Sequence, residues 1–129
     1  MSAENDNVVE IRALRRVLGD QVKQVILHGV DLEIQRGEFV ALTGHSGSGK
    51  STLLYLLGTL DRPTSGQVII DGVDTSALGD NERARLRNER LGFVFQFHFL
   101  LAEFTVTENV MIPMLRRGVA SQDARARAL

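Results

Sequence analysis

The sequence predicts an α/β fold with an antiparallel β region beside its core. Three observations predict it. The apolar run Phe39 to Thr43 reads as a strand buried on both faces. The glycine-rich stretch Gly44 to Gly49 ends that run, and an amphipathic segment opens at Lys50. Upstream, Val30-Asp-Leu-Glu-Ile34 alternates apolar and polar at period two, as a half-buried antiparallel strand does.

The elements follow in order. Residues 1–7 are polar and read as a disordered N-terminus, leaving 8–129 as one domain or part of one. Val8 to Ile11 is a weak strand. Val22 to Leu27 and Val30 to Ile34 are two more, and Arg36-Gly37-Glu38 is a turn. The helix from Lys50 runs to about Leu60, with Leu53, Leu54, Leu56 and Leu57 as its buried stripe. Asp61 to Gly66 is loop. Gln67 to Ile70 runs into a tight Asp71-Gly72 turn. Asp80 to Arg90 is a polar helix with Asp80 or Asn81 as its N-cap. Leu91 to Phe95 is an apolar strand. Thr107-Glu108-Asn109 opens an amphipathic segment with Pro113 near its first turns, and Ser121 to Leu129 begins one more helix.

Composition bounds the function. The chain has 129 residues, 15 Lys+Arg against 16 Asp+Glu, and a net charge of −1, which argues against a nucleic-acid partner. The absence of cysteine removes disulfides and thiolate metal sites and fits a reducing compartment. The opening MSAENDNVVE lacks the basic and apolar regions of a signal peptide. No apolar run approaches the roughly 20 residues that span a bilayer. The expectation is a soluble, cytosolic chain that does not cross a membrane by itself.

One motif carries chemistry. Gly44-His45-Ser46-Gly47-Ser48-Gly49-Lys50-Ser51-Thr52 matches the phosphate-binding loop G-x-x-x-x-G-K-[ST] in full, between an expected buried strand and an expected helix. The glycines let backbone N–H groups converge on one concavity, and the helix N-terminus adds unpaired donors. Lys50 places a full charge on the β- and γ-phosphates, and the Ser51 hydroxyl is placed to ligate Mg²⁺. A plain strand–turn–helix corner needs one or two glycines, not this run with Lys-Ser-Thr behind it. The loop alone says nucleotide rather than task. The guanine-reading N-K-x-D and the D-x-x-G switch of a GTPase do not occur, whereas a P-loop kinase stays open on the loop alone.

The surrounding residues narrow the reading to a P-loop NTPase of one kind. Residues 27–72, LHGVDLEIQRGEFVALTGHSGSGKSTLLYLLGTLDRPTSGQVIIDG, resemble the N-terminal part of an ABC-transporter ATPase subunit. Residues 91–115, LGFVFQFHFLLAEFTVTENVMIPML, do so too, with Gln96 at the place of the family's Q-loop glutamine. This second stretch is most similar to the lipoprotein-releasing and macrolide-export subfamily. The resemblance implies ATP and Mg²⁺ as ligands, with Gln96 joining Ser51 at the metal. It implies a transmembrane permease partner, a second ATP-binding subunit, and a peripheral place on the inner face of the cytoplasmic membrane. The work of a complete chain is then ATP hydrolysis coupled to export or lipoprotein release.

The resemblance also marks departures. The LSGGQ signature, the Walker B aspartate with its glutamate, and the switch histidine do not occur within these residues, so no residue here is assigned a catalytic role. Thr64-Ser65-Gly66-Gln67 lacks the signature's second glycine and precedes Gln96. Val68-Ile69-Ile70-Asp71 resembles Walker B, but Gly72 follows where the family has glutamate, and Asp71-Gly72 reads as a hairpin turn. The expectation is a partial copy of such a subunit that binds nucleotide without steady turnover; a non-hydrolysing ATP-binding fragment is the alternative. By spacing, the position where the family stacks adenine on an aromatic ring falls at Val17, and no aromatic residue precedes Phe39.

Other residues read more plainly. His28, His45 and His98 have no metal-ligand spacing. The arginines at 83, 85, 87 and 90 read as a solvated helix face. Phe93 and Phe95 read as core. Phe97, Phe99, Leu100 and Leu101 lie where the family receives the coupling helix of its membrane partner, and form an expected apolar docking patch.

Overall fold

The computed structural model describes residues 6–129, in two compact units divided after Arg83. Of the N-terminal tract read as disordered, residues 1–5 lie outside the described residues, and the first strand already begins at Asn7.

The first unit is built on a four-stranded antiparallel sheet. Its strands are β1 (Asn7–Leu18), β2 (Gln24–Gln35), β3 (Ser65–Ile70) and β4 (Val73–Asp74), in the order β2-β1-β3-β4. β1 is far longer than Val8 to Ile11, because a bulge lets a charged stretch stay in the ladder. Ala13, at φ 46, sits in that bulge, and its N–H donates to Asp31 Oδ1 at 2.7 Å. The facing residue must be glycine. A Cβ on Gly66 would lie 2.3 Å from the Ala13 carbonyl oxygen. β2 is one strand rather than two and runs through His28-Gly29. Asp71 and Gly72 both take positive φ, 46 and 78, and so form the expected tight turn between β3 and β4.

Helix α1 spans Lys50–Leu57. It buries Leu53 and Leu56, but Leu54 is exposed and Leu57 only half-buried, so the stripe is narrower than expected. The unit's buried apolar residues also include Ile11, Leu14 and Leu27 on β1 and β2, and Val68 and Ile70 on β3. After α1 the chain is tied down by charge. Arg16 bonds both oxygens of Asp61, at 3.0 and 2.8 Å. Helix α2 (Asp80–Arg90) begins at Asp80 itself, so neither Asp80 nor Asn81 is its N-cap. Glu82 instead accepts from the Gly79 N–H at 2.9 Å. Arg83 is buried, not solvated: it donates to the Thr59 carbonyl at 2.9 Å and to that of Asp61. Those carbonyls follow the C-terminal end of α1, where a cation is favoured.

Two expected strands are not strands. Residues 39–43 and 91–95 have no ladder, and Phe39 is 99 % exposed. An apolar run becomes a strand only when a neighbour takes up its N–H and C=O groups, and no described strand pairs with either run.

In the second unit, α3 spans Val106–Arg116 and α4 spans Ser121–Ala128, with Met111 and Ala124 buried. Thr105 is the N-cap of α3: its hydroxyl accepts from the Glu108 N–H while Glu108 Oε2 accepts from the Thr105 N–H at 2.8 Å. Pro113 lies inside the helix, past its first turns, and the helix continues through it. Asn109 pins the segment before α3, donating to the carbonyls of Leu101 and Phe104 at 3.0 and 3.1 Å and accepting from the Leu101 N–H.

Candidate functional site: the Gly44–Thr52 loop

The loop and the start of α1 lie wholly in the first unit. Residues Gly44 to Ser48 and Ser51 are exposed, and Gly49, Lys50 and Thr52 are half-buried. Gly49 is the N-cap of α1 at φ 95, and no side chain caps the helix. A side chain is disfavoured there on two counts. The φ is left-handed, and a Cβ would meet Leu27 Cδ2 at 3.1 Å and the Ile26 carbonyl oxygen at 3.2 Å. The close approach sets Gly49 beside β2. The first intrahelical bond from the turn runs from the Leu53 N–H to the Gly49 carbonyl at 2.9 Å. The N–H groups ahead of it are the usual orphan donors of a helix start.

Lys50 folds back over the loop. Its Nζ donates to the carbonyl oxygens of Gly44 at 2.7 Å and His45 at 2.8 Å, and stands 3.5 Å from Ser48 Oγ. The Ser48 N–H donates to the His45 carbonyl at 3.3 Å, closing a tight turn under the ammonium. The result is a cation, a helix N-terminus and the Ser51 hydroxyl on one short, largely exposed segment. That donor set is complementary to a polyphosphate with a metal ion. His45 contributes its carbonyl to Lys50. Its ring has no assigned role.

The remaining sequence candidates divide. Val17 is half-buried on β1, opposite Val25 of β2, and its N–H donates to Thr64 Oγ1 at 2.9 Å. It lines a cleft of about 390 Å³ with Arg15, Gly19, Lys23, Val25 and Thr64. Apart from Val17, sequence reasoning missed these residues; Arg15, two before Val17 on a strand, was the available signal. Asp71 is a turn residue whose Oδ1 accepts from Arg36 at 3.0 Å. Gln96 belongs to the second unit and is exposed. Around it Phe93 and Phe95 are exposed, not core. Their rings stack at 5.4 Å, and Phe99 meets both Phe95 and Phe97 edge-on, at 5.2 and 6.3 Å. Phe97, Phe99, Leu100 and Leu101 are exposed as well, and Phe99 takes a left-handed φ of 46.

A family model for ABC transporters matches residues 27–129. A lipoprotein-releasing system ATP-binding protein, LolD 1, of Chlorobium chlorochromatii is 49% identical over 127 residues, covering 96% of this chain and 52% of the relative. The LolD of Anaeromyxobacter dehalogenans is 56% identical over 117 residues, covering 89% of this chain and 49% of the relative. The chain thus spans about half the length of the curated relatives it matches. Among solved structures, a dimeric post-hydrolysis state of the ATP-binding cassette MJ0796, bound to ADP and Pi, superposes with a TM-score of 0.85 at 37% identity. That match covers 93% of this chain and 53% of the cassette. Its fold is therefore that of an ABC ATPase cassette in part, and the chain belongs to the ABC transporter family.

Proposed function

We propose that this chain supplies the nucleotide-binding part of the ATP-binding subunit of a lipoprotein-releasing ABC transporter. The observation that carries the reading is the Lys50 ammonium, held over the loop mouth by the Gly44 and His45 carbonyls beside an uncapped helix start. The loop fits ATP with Mg²⁺. Backbone N–H groups of Gly44 to Thr52 cradle the phosphates, Lys50 meets the β- and γ-phosphates, and the Ser51 hydroxyl takes one metal position. Mg²⁺, when bound, offsets charge on the phosphate oxygens. Gln96, in the second unit, enters the reading by its family resemblance alone. These residues position and neutralise; none of them is a general base.

The LolD relatives, named as ATP-binding proteins of lipoprotein-releasing systems, support lipoprotein release as the task; ATP hydrolysis, a transmembrane permease as partner and a place on the inner face of the cytoplasmic membrane complete the reading. Pairing with a second ATP-binding subunit is supported by the dimeric cassette. No helix among the described residues is long and apolar enough to cross a membrane, so the permease would supply the membrane contact. The exposed Phe97, Phe99, Leu100 and Leu101 are its docking patch. Calorimetric titration with ATP-Mg and with AMP tests the reading. A phosphate site predicts measurable binding of ATP and at least about a hundredfold weaker binding of AMP, which lacks the groups Lys50 meets. Equal binding of the two would contradict it.

A further inference from the structure

We propose that the guanidinium of Arg15, rather than an aromatic ring, covers the base of the bound nucleotide, so that the site accepts adenine and guanine alike. The proposal rests on the reading of residues 44–52 as the phosphate site. It starts from the cleft on the sheet. Val17 of β1 and Val25 of β2 face each other in the ladder, and both line the cleft, giving it an apolar side. Arg15 and Lys23, each two residues from one of these valines, line it too. No carboxylate lines it, and among the described residues neither Arg15 nor Lys23 has an ion-pair partner. The cleft ends at Val25 of β2, and Gly49 of the loop lies close to Ile26 and Leu27, the next residues of the same strand. Two residues of strand cover about 7 Å. A ribose and its first phosphate span such a gap.

The cleft's volume of about 390 Å³ admits a purine, yet no aromatic residue occurs before Phe39 to stack on it. A guanidinium is the other planar group that stacks on a π-face, and it is more weakly hydrated than an ammonium. It reads the face of a ring and not its edge, so it discriminates little between purines. Two cations could instead act on the phosphates by charge alone, and that outcome can be separated.

The experiment titrates the wild-type chain, Arg15→Ala, Arg15→Lys and Lys50→Ala with ATP, GTP and inorganic tripolyphosphate, all with Mg²⁺. Wild type should bind ATP and GTP within about threefold of each other. Arg15→Ala should lose about fivefold for both nucleotides and nothing for tripolyphosphate. Arg15→Lys keeps the charge and loses the plane, so it should lose as much as Arg15→Ala. Restoration by lysine, an equal loss for tripolyphosphate, or a wild-type preference for ATP beyond about tenfold would each overturn the proposal. Lys50→Ala should weaken all three ligands. If it weakens none, the phosphate-site reading itself fails, and that result is distinct from a failure confined to Arg15.

Discussion

Replacing Lys50 by alanine removes the one full charge on the loop. The ammonium has three N–H donors. Two are taken by the Gly44 and His45 carbonyls at 2.7 and 2.8 Å, and the third has only the distant Ser48 oxygen at 3.5 Å. A phosphate oxygen at the loop mouth therefore meets a donor that is weakly committed. Losing one charge-assisted contact costs about 1.5–3 kcal/mol, or roughly 10- to 150-fold in Kd. The fold should hardly notice. The loop carbonyls that lose Lys50 are exposed, and water can replace the ammonium, so the folding cost stays below about 1 kcal/mol. Calorimetry with ATP-Mg reads the affinity, and thermal unfolding reads the stability. An affinity within about twofold of wild type would refute the argument. So would a large fall in the unfolding midpoint, because Lys50 would then be holding the loop up rather than waiting for a ligand.

Two further outcomes follow from the second unit. Phe99→Asp should weaken capture of a detergent-solubilised permease partner by about tenfold or more while leaving ATP affinity unchanged, since an apolar contact is replaced by a charge that must be desolvated; unchanged capture would place the docking surface elsewhere. The Glu108 carboxyl is held below the usual range by the Thr105 N–H first and the Thr105 hydroxyl second. Its support for the start of α3 is thus complete above the ordinary carboxylate pKa and is lost as pH falls through the lowered one. Helical circular dichroism of wild type should fall on acidification more than that of Glu108→Gln. Identical pH profiles would remove the capping box from the account.

What the sequence disclosed depended on the range of the forces involved. The Gly44–Thr52 loop, the Asp71-Gly72 turn and the polar helix Asp80–Arg90 were legible because each is set by residues adjacent in the chain. The Thr105–Glu108 capping box was equally local, a Thr-x-x-Glu pattern, and was overlooked for the neighbouring Thr107. The runs Phe39 to Thr43 and Leu91 to Phe95 misled, because apolar composition reports a tendency to be buried and not the presence of a pairing strand. β1 was underestimated for the opposite reason. Arg12, Arg15 and Arg16 disguise a strand whose bulge at Ala13 breaks the period of two. The same disguise hid the cleft around Val17, whose other walls come from β2 and the Thr64 loop and meet only in the folded sheet.

On the proposed reading, residues 44–52 hold the phosphates of a nucleoside triphosphate through their backbone amides. Amide-resolved NMR of the chain titrated with ATP-Mg reads those donors one by one. Saturable shifts should concentrate on the N–H groups of Gly44 to Thr52, where the donors lie, and should be lost in Lys50→Ala. Saturable shifts that spare this loop and gather elsewhere in the chain would contradict it.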